Sequence, residues 1–541
     1  GHRGASALSR AAAPPALSLP ATPPARGRRA FRPFRPNAFR GMVAHMTGTP
    51  PSTAPPWTTP GNLGAEIHET HTGLVALIGD RAYKTKKAVV TDFLDFSSVA
   101  RREQSCAREV ELNRRLAPDS YLGIGRFDSP EGPSEPVIVL RRYPEAARRA
   151  ALVRSGVPVH AELRAIAALL ARFHATAERG GAVDAEATVA ALTERWQENL
   201  TELRRHAGAV LAEATLADVT RLATRFLAGR GGLYASRIAG RRVVDGHGDL
   251  LAQDIFCMPE GPVLLDCLEF DDRLRYVDGV DDAAFLAMDL EYLGRADLGE
   301  FFLDEYLRSA DDPAPRSLRD FCVAYRAVVR AKVDCVRVTQ GHHDAAADAR
   351  AHLDIALAHL QRATVPLVII GGGPGTGKTT LAHALAPRLD AVVISTDDVR
   401  RELREAGTIA GAVGDLHSGL YAPQNVTAVY DAVLRRAHAA LGTGRAVIVD
   451  GTWRDRRHRD QARSVGAECH SPVVELACTV PISEAVQRIS TRTATTSDAT
   501  PEIATALSEG DQRWPEALPV DTSVPVSDTA AELERVCRLA G

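Results

Sequence analysis

Apolar and polar positions divide the chain into stretches of different period. Short apolar runs at 73–78 and 81–84, joined by Gly79 and Asp80, predict a β-hairpin. Residues 97–116 have helical spacing closed by Ala117 and Pro118, and the run 136–141 predicts another strand. Residues 61–145 therefore read as a small β-rich lobe with one helix. The helical period returns over 158–240 and over 317–362. Between them, at 243–270, a polar loop precedes two short apolar runs around a Pro-Glu-Gly turn. From residue 365 onward, apolar runs at 365–370, 391–395, 446–450 and 473–479 alternate with helical segments. That alternation predicts a parallel sheet covered on both faces.

Residues 1–60 fit none of these patterns. They are rich in Pro, Ala and Arg and hold no acid, so no core can form and disorder is expected. An Arg-rich, acid-free start is similar to a transit peptide, but its prolines break any amphipathic helix. The expectation is a tail or translated upstream sequence, with Met42 or Met46 as the start.

Composition narrows the class. The chain has 541 residues, enough for several domains, with 45% hydrophobic and 25% charged residues, as in globular proteins that need no membrane. A net charge of −3 gives no global attraction to nucleic acid or anionic membrane. No apolar run nears the roughly 18 residues that span a bilayer. The eight cysteines are scattered without a C-x-x-C, which suits reduced core thiols and a cytoplasmic location. Only five of the 65 basic residues are lysine: Lys84, Lys86, Lys87, Lys332 and Lys378. Where arginine has taken nearly every other cationic position, a remaining lysine points to a task for a compact ammonium. The cluster at 84–87 is either such a task or a surface patch, and Lys332 reads as a solvated helix residue.

The densest chemistry lies at 372–379, which reads G-x-x-x-x-G-K-T between a predicted strand and a predicted helix. This is the P-loop context. The backbone of Gly372, Gly373, Pro374, Gly375, Thr376, Gly377, Lys378, Thr379 and Thr380 is expected to cradle the phosphates of ATP at a helix N-terminus. Lys378 would reach the β- and γ-phosphates, and Thr379 would put its hydroxyl on Mg²⁺. Asp450 ends an apolar strand in the Walker-B form and is a second candidate metal ligand. Arg488 and Arg492, four apart, form either a cationic lid over phosphate or an exposed helix face.

In 243–270 three carboxylates recur: Asp249 in the polar loop, Asp254 five residues on, and Asp266 at the end of the second apolar run. They could converge on divalent ions, or serve as turn and cap residues. The sequence His247-Gly248-Asp249, then Asp254, then Asp266 resembles the catalytic and metal loops of aminoglycoside phosphotransferases and choline-kinase-like enzymes, which share the protein-kinase fold. The resemblance implies that Asp249 is the catalytic base and that Asp254, where Asn usually stands, and Asp266 bind metal. Cys267 and Leu268 replace the usual Phe-Gly. It further implies that Lys84 is the strand lysine at the phosphates, that Glu109 is its helical partner, and that Asp281 or Asp282 steadies the catalytic loop. The glycine-rich loop departs from that pattern, with Gly73 the single glycine in 69–73.

The second half is similar to small P-loop kinases of the gluconate-kinase, zeta-toxin and polynucleotide-kinase group, with an AAA-type ATP-binding core. The D-x-x-R of Asp397 and Arg400 follows the second strand, with Asp398 as the alternative register. In that group the aspartate takes the acceptor proton and the arginine orients phosphate or substrate. The fold expected is an α+β bilobal protein-kinase-like domain over 61–364, followed by an α/β P-loop domain with a parallel sheet over 365–541. The function expected is a bifunctional ATP-dependent phosphotransferase acting on small-molecule hydroxyls. The alternatives are a kinase-like sensor that regulates the P-loop half, or a nucleic-acid 5′-end kinase, for which a basic groove would be needed.

Overall fold

The computed structural model describes residues 66–69, 73–90, 95–128, 134–412, 418–491 and 514–541. The expected tail at 1–60, residues 70–72 of the weak glycine loop, and Arg492 lie outside the described residues.

The first sheet is antiparallel. Strands β1 (Glu66–Glu69), β2 (Gly73–Ile78), β3 (Arg81–Lys86), β4 (Tyr121–Phe127) and β5 (Glu135–Arg141) lie in the order β1-β2-β3-β5-β4. Gly79, at φ +59°, supplies the left-handed turn between β2 and β3. The helix Val99–Asn113 starts at Ser98, whose hydroxyl accepts from the Arg101 amide at 3.3 Å. Its Cys106 and Val110 pack on Ala82, Tyr121, Ile138 and Leu140 of the sheet. That face presents Glu109, fully buried, to β3. β4 escaped the sequence reading. Gly123 and Gly125 interrupt its alternation, a register shift falls between Tyr121 and Gly123, and Leu122 and Ile124 face solvent at this sheet edge.

The polar stretch and the residues just after it fold as two small antiparallel strand pairs. β6 (Val243–Asp245) pairs with β9 (Tyr276–Asp278), and β7 (Ile255–Met258) with β8 (Gly261–Leu264). Helices cover them, among them His160–Thr176, Glu213–Gly229, Gly231–Ala239, Gly279–Tyr292, Arg316–Thr339 and Ala345–Arg362. A five-stranded sheet, one helix on it and a mainly helical second lobe make the α+β bilobal kinase-like arrangement.

The last sheet is wholly parallel. β10 (Leu367–Gly371), β11 (Ala391–Ser395), β12 (Ala446–Asp450), β13 (Val473–Thr479) and β14 (Leu518–Asp521) stand in the order β11-β12-β10-β13-β14. The central strands β10 and β12 are buried along their whole length, as their unbroken apolar sequence requires. β14 was not anticipated. It is short, contains Pro519 and exposes Leu518, all features of an edge strand.

The described residues from 66 onward form one compact unit, and the helical lobe and the parallel sheet share one buried cluster that includes Leu222, Phe226, Leu360, Leu367, Ile369 and Leu441. Arg230 is sealed in this seam. It donates to the carbonyls of Leu441 at 2.6 Å and Cys469 at 3.3 Å and to the Ser471 hydroxyl at 2.9 Å. With no carboxylate beside it, burial lowers its pKa to about 10. Ser317 donates to the Gly444 carbonyl at 2.6 Å across the same seam. Backbone approaches backbone so closely that a methyl group on Gly229 would sit 2.1 Å from the Cys469 carbonyl oxygen.

Candidate active sites

The N-terminal cleft is built on β3. Lys84 and Lys86 are two residues apart on one strand and share a face. The Lys84 ammonium stands 2.9 Å from Glu109 Oε1 and 2.5 Å from Asp266 Oδ1. Lys86 reaches Glu109 Oε2 at 2.6 Å and also pairs with Glu269. The lysine cluster is thus no surface patch: Lys86 is 4% exposed. Burial opposes both ammonium charges, but the carboxylates win and hold both lysines above their ordinary pKa. Of the helix acids Glu103, Glu109 and Glu111, only Glu109 meets a lysine.

Asp266, two residues beyond the end of β8, is in the left-handed region at φ +64°. Its amide donates to the Tyr121 hydroxyl at 3.2 Å, and the Asn113 side chain accepts from the Cys267 amide at 2.9 Å. These bonds hold the turn without the Phe-Gly pair. Burial would raise Asp266, yet Lys84 holds it below the usual carboxylate range. Asp254 is pushed well above that range, first by burial and then by Asp266 and Asp249. Asp249 is half-buried, and burial lifts it to about 6 against the pull of Arg330.

The loop that bears Asp249 hangs from Asp282, which resolves the choice between the two neighbouring aspartates. Asp282 accepts from the amides of His247 at 2.7 Å and Gly248 at 2.8 Å, and from His174 Nε2 at 2.9 Å. Burial opposes its charge, but the His174 hydrogen bond leads a set of contacts that pull it far below the ordinary range. Asp281 instead pairs with Arg326, whose guanidinium also donates to the Gly248 carbonyl at 3.3 Å. His174 is a buried support rather than a ligand, bonded on its other side to the Tyr306 hydroxyl at 2.8 Å. Lys332 is half-buried, not solvated, and burial lowers its pKa.

The C-terminal site lies where β10 and β12 end side by side. Gly372, Gly375 and Gly377 have φ of +143°, +76° and +80°. At Gly375 a methyl group would lie 2.5 Å from the Ala485 carbonyl oxygen, so the loop needs glycine for space as well as conformation. Lys378 Nζ donates to the Gly373 carbonyl at 2.9 Å, and Thr379 Oγ1 to Asp450 Oδ2 at 2.5 Å. Pro374 is half-buried and Thr380 is exposed in the first helical turn. Burial raises Asp450 above its usual value, in spite of Lys378.

Ser395 of β11 stands opposite Asp450 of β12, and the helix Thr396–Glu405 begins there. The Ser395 side chain caps it by accepting from the Asp397 amide at 3.2 Å, so Asp397 is not the cap. Asp397 pairs with Arg400 at 2.5 Å, and that guanidinium lies over the Tyr421 ring at 4.6 Å. The alternative register is a separate, exposed pair, Asp398 with Arg401. Arg488 flanks the phosphate loop. It donates to the Thr522 carbonyl at 2.8 Å, and the Thr522 hydroxyl donates to the Thr376 carbonyl at 2.8 Å.

Among the described residues no three His, Cys, Asp or Glu side chains gather into a metal cluster. The pairs Asp254 with Asp266 and Thr379 with Asp450 each offer two oxygen groups. That suits Mg²⁺, which is usually held by one or two carboxylates together with substrate phosphates and waters. Sequence reasoning singled out Lys86 only as part of the 84–87 lysine cluster, without a role, and missed Glu269, which nothing in the chain order marked.

Fold and sites define the class: a protein-kinase-like α+β region joined to a P-loop domain. The family described as AAA domain matches residues 367–510. The uncharacterized protein Rv2004c of Mycobacterium tuberculosis is 51% identical over 476 residues, covering 88% of this chain and 96% of that protein. Uncharacterized protein Mb2027c of Mycobacterium bovis matches to the same extent. The chain belongs to this mycobacterial family. Among solved structures, a choline/ethanolamine kinase family protein from Mesorhizobium loti covers 60% of this chain and 99% of its own, at 15% identity and a TM-score of 0.36. A gluconokinase from Sinorhizobium meliloti covers 32% of this chain and 94% of its own, at 17% identity and a TM-score of 0.25. No helix among the described residues is long and apolar enough to cross a membrane.

Proposed function

We propose that the protein is a two-headed ATP-dependent phosphotransferase, each head moving the γ-phosphate of ATP to a hydroxyl group of a small molecule. The observation that carries this reading is Lys84, set 2.9 Å from Glu109 and 2.5 Å from Asp266, three residues distant in sequence that meet beside the Asp249 loop. The phosphate loop of the other half is complete on its own.

In the N-terminal head Lys84 holds nucleotide phosphate and Glu109 orients it. Asp254 and Asp266 hold the metal, and Asp249 takes the proton of the acceptor hydroxyl. A pKa near 6 makes Asp249 a stronger base than an ordinary aspartate while leaving it largely ionised at neutral pH. In the C-terminal head Lys378 and the loop amides hold the phosphates, Thr379 and Asp450 hold the metal, and Asp397 takes the acceptor proton. Arg400 and Arg488 offer positive charge to the acceptor side and to the phosphate loop. Mg²⁺ would screen phosphate charge at both heads. Eight free cysteines fit a reduced, cytoplasmic setting.

Titration calorimetry of the full chain with ATP and Mg²⁺ tests the reading. Two sites are expected in the wild type and one in Lys378→Ala, and a single site in the wild type overturns it. The shared core at the Arg230 seam favours a second reading, in which the N-terminal half binds nucleotide to control the P-loop half. Under that reading Asp249→Asn leaves all phosphate transfer from labelled ATP intact.

A further inference from the structure

This inference rests on the N-terminal head binding Mg²⁺-ATP as proposed above. The charged groups of that cleft form two layers. The outer layer is Lys84 with Asp266, whose side chains are 18% and 45% exposed. The inner layer is Lys86 with Glu269, whose side chains are 4% and 12% exposed. Fully buried Glu109 lies between them, with one oxygen on each lysine. A single lysine would satisfy the catalytic reading, so the second requires an explanation in a chain with only five.

The explanation lies in what nucleotide binding asks of the outer layer. Lys84 is engaged with Asp266, the carboxylate that the metal would take, so both must change partners when Mg²⁺-ATP enters. Glu109 cannot be left to compensate for that exchange. A buried carboxylate stripped of its partner is strongly destabilising. Lys86 keeps Glu109 neutralised whatever Lys84 does. Glu269 stands three residues beyond Asp266, so its bond to Lys86 ties the metal loop to β3 by a link that the exchange does not break. The Phe96 ring, 5.4 Å from the Lys86 ammonium, closes the inner layer from the other side.

We propose that Lys86 and Glu269 are positioning residues: a fixed inner ion pair that holds Glu109 and the Asp266 loop in place, so that Lys84 can exchange Asp266 for nucleotide phosphate. Neither is expected to touch the nucleotide.

The test uses the full chain carrying Lys378→Ala, so that only the N-terminal head binds. A fluorescent ATP analogue is titrated with and without Mg²⁺, and thermal unfolding is followed in parallel. Lys84→Met should abolish binding in both conditions. Lys86→Met should weaken Mg²⁺-dependent binding about 10–100-fold, the usual range for a group that orients a metal ligand. Lys86→Arg should restore most of that loss. Glu269→Gln should weaken binding with Mg²⁺ and leave binding without it near the parent value, a split that general destabilisation does not produce. Should Lys86→Met not fold, Glu269→Gln carries the decision. Parent-like Mg²⁺ affinity in folded Glu269→Gln overturns the proposal, even if Lys84→Met has lost binding. No binding by the Lys378→Ala parent removes the nucleotide-site reading and this proposal together.

Discussion

Thr379 Oγ1 donates to Asp450 Oδ2 at 2.5 Å, joining the last residue of the phosphate loop to the last residue of the neighbouring strand. The bond places a hydroxyl and a carboxylate at the mouth of the parallel sheet. Asp397 is near enough to raise the Asp450 pKa, though less strongly than burial does. The two carboxylates nevertheless have different partners, Asp450 a threonine hydroxyl and Asp397 a guanidinium.

That difference predicts different losses. Asp397→Asn should lower the kcat of the P-loop head by about 10²–10⁴, the range for general-base help, with ATP affinity nearly unchanged. Asp450→Asn should weaken Mg²⁺-ATP binding as well. Ser395 already caps the helix, so Asp397→Asn should unfold at the wild-type temperature. Steady-state kinetics and nucleotide titration of the two variants check this, and a near-normal kcat in Asp397→Asn removes the base assignment.

At the N-terminal head the pH profile should report Asp249. A general base acts only when unprotonated, and burial has moved this one up to about 6. Activity should therefore be low at pH 5, rise through pH 6 and level off above pH 7. The profile is read as kcat/KM against pH in a Lys378→Ala background. Asp249→Asn should flatten the curve at a rate about 10²–10⁴ lower.

The two metal-side carboxylates should not be equivalent. Asp254 is lifted far above the ordinary range by burial and by its like-charged neighbours, whereas Lys84 keeps Asp266 ionised. Asp254→Asn removes a charge that the site holds only at a cost, and activity should survive. Asp266→Ala should abolish transfer at this head. Transfer from labelled ATP at the wild-type rate in Asp266→Ala would refute the assignment.

The seam offers a mechanical prediction. Gly229→Ala would put a methyl group 2.1 Å from the Cys469 carbonyl oxygen, backbone that cannot turn aside. Overpacking of this kind costs about 1–3 kcal/mol, and here the strain falls between the halves. The thermal unfolding temperature of Gly229→Ala should lie several degrees below that of the wild type.

What was legible in the sequence follows from range. The phosphate loop, Asp450 and the Asp397–Arg400 pair are each written within a few residues, so strand, loop and helix could be read directly. The central strands β10 and β12 are continuous apolar runs for the same reason. The edge strands β4 and β14 were not legible, because glycine, proline and exposed side chains erase the period that marks an interior strand. Lys84, Glu109 and Asp266 were joined into one site only through a resemblance, since their meeting depends on tertiary packing. Glu269 had no such guide: an acid in a loop looks like any other until a buried lysine is found against it.

The seam also limits how the heads can communicate. The helix Ala345–Arg362 passes into β10 through residues 363–366, and Ala363 and Val365 of that link are themselves buried. That link and the packing around Arg230 tie the two halves together through buried groups. On the two-headed reading proposed above, any product passed between the heads would travel by release into bulk water and recapture, so a competing enzyme added to the solution would intercept it.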